Sequence, residues 1–220
     1  MDKNKRAILI LVTLTMFLIF SIIINMISGS IHFTLKDLKD ILLKNRNLST
    51  LEYNILYKIR IPRIVCGLLF GGALGISGFL LQTFFRNPIV GPYVLGVSSG
   101  ARFFVGIFIL TNFRLKIFDA GIFGIFIASF VGSILSMVLV LVFARKIEDV
   151  STLVVVGIML GYIASAGTNL MITFAEQEKI ANLTLWSMGS FSGATWSMIK
   201  FSLIIIIPTV ILTFLLSKPL

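Results

Sequence analysis

Gly96-Val-Ser98-Ser-Gly100 has the G-x-S-x-G spacing of a nucleophile elbow, where a serine could attack an acyl group if a base stood within hydrogen-bond reach. The chain has one histidine, His32, and it falls beside the far end of a different hydrophobic segment, so hydrolysis lacks its partner. Metal chemistry fares no better, because one His, one Cys and no carboxylate cluster make no ligand set. No G-x-x-x-x-G-K-[ST] occurs, so ATP held in the P-loop manner would have to sit on another polypeptide, and the chain itself is expected to carry no cofactor.

What remains is a set of polar and chain-turning residues in an apolar background. Arg60-Ile-Pro62-Arg63 places two cations three residues apart, with Pro62 suited to a first helical turn, so the two arginines can share a face. In Arg86-Asn-Pro-Ile-Val-Gly-Pro92, Pro88 disfavours helical geometry at Asn87 and donates no amide, which predicts a sharp corner. Gly161, Ser165, Thr168, Asn169 and Ile172 fall at helical spacing and leave one face small and polar. Residue types alone leave that face open to two readings, a wet pathway or interhelical hydrogen bonding. Ser77 and Gln82 are polar within another apolar run.

The elements that position these residues follow from hydropathy. With 57% hydrophobic residues, 20 Phe and only 13% charged residues among 220, and a mean hydropathy of +1.04, a soluble domain is excluded. Apolar runs near 7–28, 64–84, 94–110, 119–143, 152–173 and 197–216 are long enough to cross a bilayer, and each must be helical because hydrocarbon satisfies no free amide. The expected fold class is all-α, a polytopic transmembrane helical bundle of six spans. The first run is too long for a signal-peptide core and ends in no cleavage site, so it reads as a true span. In the second, Gly67, Gly71 and Gly75 give small-xxx-small spacing for close helix contact, and Cys66 reads as packing. The 29–63 connection is too long for a turn; Thr34 and Asp37 stand at capping-box spacing, and Leu35, Leu38, Ile41 and Leu42 recur helically, which predicts a short amphipathic surface helix. The sequons at Asn47 and Asn182 are too short a pattern to carry weight.

A net charge of +10 on 19 Lys and Arg suggests anionic lipid rather than nucleic acid, since the cations gather at span ends. With the N-terminus inside, Lys3, Lys5, Arg6, Arg86, Arg145, Lys146 and Lys218 lie inside, against a larger set outside: Lys36, Lys39, Lys44, Arg46, Lys58, Arg60, Arg63, Arg114, Lys116 and Lys179. Arg102 and Lys200 fall within spans. Charge bias therefore leaves orientation undecided.

The run RIPRIVCGLLFGGALGISGFLLQTFFRNPIVGPYVLGVSSGA, from Arg60 to Ala101, resembles the signature of FecCD-type permease subunits of ATP-binding cassette importers for iron-siderophore, haem and cobalamin. Its elements are the paired arginines around a proline, G-x-x-L-x-x-S-G-x-x-x-Q, R-N-P, a second proline and L-G-x-S-x-G-A. Gly157-Ile-Met-Leu-Gly161, Trp186-Ser-Met-Gly-Ser190 and Trp196 extend the likeness. Gly75 stands where Ala is common, Ile89-Val90 replaces Leu-Ala, and Arg102 is an unexpected charge.

The resemblance implies a permease subunit that forms a translocation pathway and receives its cargo from an extracytoplasmic binding protein. Its partners would be a second permease subunit and cytoplasmic ATPase subunits, with membrane lipid around it and no nucleic acid. It implies a multi-pass protein of the bacterial cytoplasmic (inner) membrane with its N-terminus cytoplasmic. It also implies binding-protein docking by Arg60 and Arg63, and a cytoplasmic gate made from Asn87, Pro88 and Ile89 with Asp149, Val150 and Ser151. A pathway would be lined by Ser77, Gln82, Ser165, Thr168 and Asn169. Such permeases continue past the position of Leu220 into about four more helices, so residues 1–220 are expected to be the N-terminal part of one. The alternatives are a secondary transporter or a channel without an ATPase, but ion coupling usually needs an intramembrane acid and these spans hold none beyond Asp119 at an edge.

Overall fold

The computed structural model describes residues 3–29, 31–43, 48–111, 122–147 and 149–216. Lys44, Arg46, Asn47, Arg114, Lys116, Asp119, Glu148 and residues 217–220 lie outside them. The described residues form nine α-helices and no strand: α1 (Lys3–Ile27), α2 (Leu35–Leu42), α3 (Thr50–Tyr53), α4 (Ile61–Phe84), α5 (Val97–Leu110), α6 (Ile122–Ala144), α7 (Val150–Thr173), α8 (Gln177–Met188) and α9 (Trp196–Leu216). A seven-residue π-helical segment, Asn54–Arg60, joins α3 to α4. Among the described residues, five stretches are long and apolar enough to cross a membrane: α1, the continuous 50–84 helix, α6, α7 and α9.

The predicted span 94–110 is the exception. Residues 92–96 form turns, leaving α5 with 14 residues, or about 21 Å at 1.5 Å per residue, against a hydrocarbon core of roughly 30 Å. Hydropathy counted the apolar turn residues Val94 and Leu95 as helix, because periodicity is blind to the left-handed backbone at Gly96 that separates turn from helix.

Contacts divide the chain into two units, Met1–Ala73 with Phe191–Leu220, and Leu74–Ser190. In the second unit α5 is the central element and lies against α6, α7 and α8. One apolar cluster sits at its beginning, built from Phe85, Val90, Leu95, Val140 and Leu153; another sits at its end, built from Val105, Leu110 and Leu183 with Ile180, Met171 and Trp186 around it. Gly100 and Gly132 bring α5 and α6 so close that a Cβ on either would strike the other's backbone or side chains.

In the first unit Cys66, Ala194 and Ile199 form a small cluster with Val65, Phe70 and Leu203. Long side chains all around α1, among them Leu11, Phe17 and Phe20, are exposed, as suits a helix whose surroundings are lipid or further apolar helices. The stripe Gly67, Gly71 and Gly75 meets nothing within contact distance among the described residues, so the close helix contact predicted there is not made within them. The amphipathic surface helix is present as α2. Asp37 N–H donates to Thr34 Oγ1 (3.1 Å) and Thr34 N–H donates to Asp37 Oδ2 (2.8 Å), so the shorter acid closes the capping box that Glu usually closes.

Candidate docking and gate sites

Arg60 and Arg63 leave the helix in different directions. Arg63 is exposed, whereas Arg60 is 7% exposed and its guanidinium turns onto the C-terminal end of α1. There Nη1 donates to the carbonyls of Met26 (2.5 Å) and Ile27 (3.4 Å), and Nη2 donates to that of Ile31. The guanidinium carbon lies 5.1 Å from the centre of the Phe33 ring, and that ring is buried. The spacing lets the two arginines share a face, but Arg63 is exposed and Arg60 is buried.

Two features fix the chain just ahead of Arg60 and Arg63. The π-helical segment adds a residue per turn ahead of α4, and Trp196 Nε1 donates to the Tyr57 carbonyl inside that segment (2.8 Å). Upstream, Ser49 and Glu52 form a second capping box that fixes the start of α3: Glu52 N–H donates to Ser49 Oγ (3.3 Å), and Ser49 N–H donates to Glu52 Oε2 (2.9 Å). A cavity of about 220 Å³ lies between the end of α1 and the π-helical segment with the start of α4, lined by Asn25, Ser28, Gly29, Ile55, Ile59, Arg60 and Arg63.

The corner after α4 is a Schellman motif. Asn87 N–H donates to the Gln82 carbonyl (3.0 Å) and Arg86 N–H to that of Thr83 (3.2 Å), with Arg86 in the left-handed region at φ 48°. Asn87 Oδ1 then accepts the Ile89 N–H (2.9 Å), which turns the chain again before Pro88 could extend it as a helix. Ile89 and Val90 consequently point opposite ways: Val90 is 1% exposed within the cluster of Phe85, Leu95, Val140 and Leu153, and Ile89 is 74% exposed.

The connection from α6 to α7 meets the same cluster through Ala144, Ile147 and Leu153, so residues flanking the two predicted gate segments share one apolar base. Asp149 caps α7, its Oδ2 accepting from Thr152 N–H (2.8 Å) and Thr152 Oγ1–H (2.6 Å). The Thr152 hydroxyl first, and its amide second, hold the exposed Asp149 carboxyl below the usual carboxylate range. Val150 begins α7 and Ser151 is exposed beside it.

The predicted pathway residues are dispersed. Thr168 is 1% exposed at the α5–α7 contact, near the place a Cβ on Gly106 would take, and its hydroxyl donates to Ala164 O (2.9 Å). Gly161 seats Gly96 on the same side of α7. Asn169 is exposed, Ser165 is half-buried, Gln82 is exposed, and Ser77 Oγ donates to Leu74 O (3.1 Å). Of the two readings of the α7 face, helix packing accounts for Gly161 and Thr168 and leaves Asn169 free for the other. Sequence reasoning missed α8, although Ile180, Leu183 and Trp186 carried a helical period.

The family model described as the FecCD transport family matches residues 17–220. This chain belongs to the FecCD transport family. It is similar to the hemin transport system permease protein HmuU of Yersinia pestis, 30% identical over 80% of the chain and 53% of that protein. It is also similar to the molybdate import system permease protein MolB of Haemophilus influenzae, 28% identical over 87% of the chain and 57% of that protein. Among solved structures, a metal-chelate type ABC transporter in an inward-facing conformation matches with a TM-score of 0.69 at 27% identity, covering 87% of the chain and 56% of that structure. The chain thus spans about half the length of the relatives it matches.

Proposed function

We propose that this chain is part of the permease of an ATP-binding cassette importer, carrying one half-gate of the pathway and receiving cargo from an extracytoplasmic binding protein. The observation that carries the reading is the pairing of two corners on one apolar base. Ile89 is presented outward by an anchored loop, and the capped start of α7 stands on the same cluster. A hydrophobic side chain held outward at a corner whose neighbours are fixed is suited to close a pore against a symmetry-related copy. ATP hydrolysis falls to separate subunits, and a second permease completes the pathway. The N-terminus is cytoplasmic in this reading, with Arg63 on the outer side, where its fork can take a carboxylate of the binding protein.

The cargo class is an iron chelate, either a siderophore or haem, or a corrinoid; molybdate is a further candidate because a relative of similar likeness is named for it. The test is uptake by the full-length permease reconstituted in vesicles with its ATPase and binding protein, offered ferric chelate, haem, cobalamin and molybdate in turn. ATP-dependent accumulation of one of them is expected. Accumulation that follows an ion gradient and ignores ATP would replace the importer with a secondary transporter.

A further inference from the structure

We propose that Trp196 is a positioning residue: its indole N–H supplies the hydrogen bond that Pro62 withholds from the Tyr57 carbonyl, and so ties the segment carrying the docking arginines to the start of α9. The consequence for docking rests on the reading above; the hydrogen-bond account does not.

The backbone of the π-helical segment leaves one acceptor over. Ile61 N–H donates to Leu56 O, five residues back, in the wide register of Asn54–Arg60. The next donor in that register would belong to residue 62, and Pro62 has none. In an unbroken α-helix the same ring would press on the Lys58 carbonyl, so the wide turn relieves a clash and leaves Tyr57 O without a backbone donor. In a membrane protein such a carbonyl needs a partner from elsewhere. Trp196 Nε1 donates to it at 2.8 Å, and an indole N–H suits the place because it can only donate.

Packing holds α4 just beyond this point. Cys66, Ala194 and Ile199 are buried together with Val65, Phe70 and Leu203 around them, and the rings of Phe70 and Phe191 stack 6.3 Å apart. Those contacts fix residues 65–70 through apolar surface. Trp196, the first residue of α9, adds the polar tie on the other side of Arg60, Pro62 and Arg63. Its ring is 42% exposed, so the N–H is what phenylalanine at this position could not replace. A base anchored on both sides leaves less ordering entropy to be lost when the arginines meet a partner, which strengthens docking without touching later steps.

The experiment has two arms on the full-length permease with its ATPase in lipid nanodiscs. In the first, without binding protein, backbone hydrogen exchange is read over residues 54–61. W196F should speed exchange there about tenfold, P62A should stay near the parent, and the double variant should return to within about twofold of the parent. An amide at position 62 restores a donor in the wide register, and in the ordinary register it frees Ile61 N–H for Tyr57 O. Ring packing or a place in the aromatic belt of the membrane predicts no such rescue. Where W196F does not accumulate, benzothienylalanine at 196 serves instead, since it keeps the bicyclic shape and exchanges N–H for sulfur. Parental exchange in the variant lacking the N–H, or a double variant as fast as W196F, overturns the proposal.

The second arm titrates the binding protein against ATP hydrolysis, without cargo. W196F should raise the half-stimulating concentration about fivefold to tenfold and leave the stimulated rate at saturation unchanged. An unchanged half-stimulating concentration, whatever happens to the saturated rate, overturns the positioning role. Should R63E stimulate at the parental concentration, the docking reading fails, and the exchange arm still judges the hydrogen bond by itself.

Discussion

Between α4 and α5 the chain closes the same hydrogen-bonded motif twice, at Arg86 and at Gly96. At the first, Asn87 N–H reaches Gln82 O and Arg86 N–H reaches Thr83 O; at the second, Val97 N–H reaches Pro92 O and Gly96 N–H reaches Tyr93 O, both at 3.2 Å. Both pivots are left-handed, with φ 48° and 73°. Their surroundings differ: Arg86 is exposed, whereas a Cβ at Gly96 would stand 2.8 Å from Gly157 O and 2.9 Å from Gly161 N. A left-handed pivot alone tolerates a side chain at modest strain, and it is the close backbone approach to α7 that demands glycine. One corner is a fixed joint, and the other holds an exposed cation in a conformation that arginine seldom adopts.

The largest expected effect tests the joint. Gly96→Ala adds the left-handed penalty, about 1 kcal/mol, to overlap with two backbone atoms of α7, and the total loss should be roughly 3 kcal/mol or more. Thermal unfolding of the purified protein in detergent reads it. A G96A variant as stable as the parent would mean that α5 and α7 separate freely, and the distinction between the corners would collapse.

Next in size is the apolar base beside both proposed gate segments. Leu95→Ala, at a fully buried position, should destabilise by about 2–5 kcal/mol, while Ile89→Ala, six residues earlier, should change stability by less than about 0.5 kcal/mol because the side chain is exposed. I89A should nevertheless alter ATP-coupled uptake in the full-length permease. Equal stability losses for the two would show that Ile89 is packed and unavailable as a gate surface.

A smaller effect belongs to the other gate segment. Asp149→Ala removes the acceptor of Thr152 N–H, so the first turn of α7 should fray and the melting temperature fall by a few degrees, with Asp149→Asn close to the parent. The carboxyl is held below its ordinary value, so its contribution is present above the unfolded-state pKa and is lost as pH falls through the lower folded value. Faster amide exchange at the start of α7 below about pH 4, absent in D149N, would show this; exchange that follows pH identically in both would remove Asp149 as the cap.

The corners also show what could be read without coordinates. The break after α4 was legible because proline's missing amide and its steric demand on Asn87 act within two residues. The α2 cap was legible for the same reason, being a contact across three residues. The apolar helices announced themselves by length. The π-helical segment did not, since its tie to Trp196 spans 139 residues and Arg60 reaches back 34 to Met26. The shortness of α5 was hidden because the turn before it is as apolar as a helix. The buried place of Thr168 was hidden because a small polar face serves a pore and a helix contact with the same residues.

The smallest expected stability effect, and the sharpest probe of why the corners differ, is Arg86→Gly. Glycine relieves a left-handed strain of about 1 kcal/mol but adds a similar amount of unfolded-state freedom, so the net change in stability should be near zero. If strain at 86 is retained for the side chain, ATP-coupled uptake by the full-length permease should fall while its melting temperature holds, because the exposed cation beside Asn87 and Ile89 is gone and the backbone is not. R86K should keep much of the uptake, since it preserves charge. Parental uptake in R86G would instead mean that the two pivots differ only in steric room, with Arg86 tolerated because nothing presses on it.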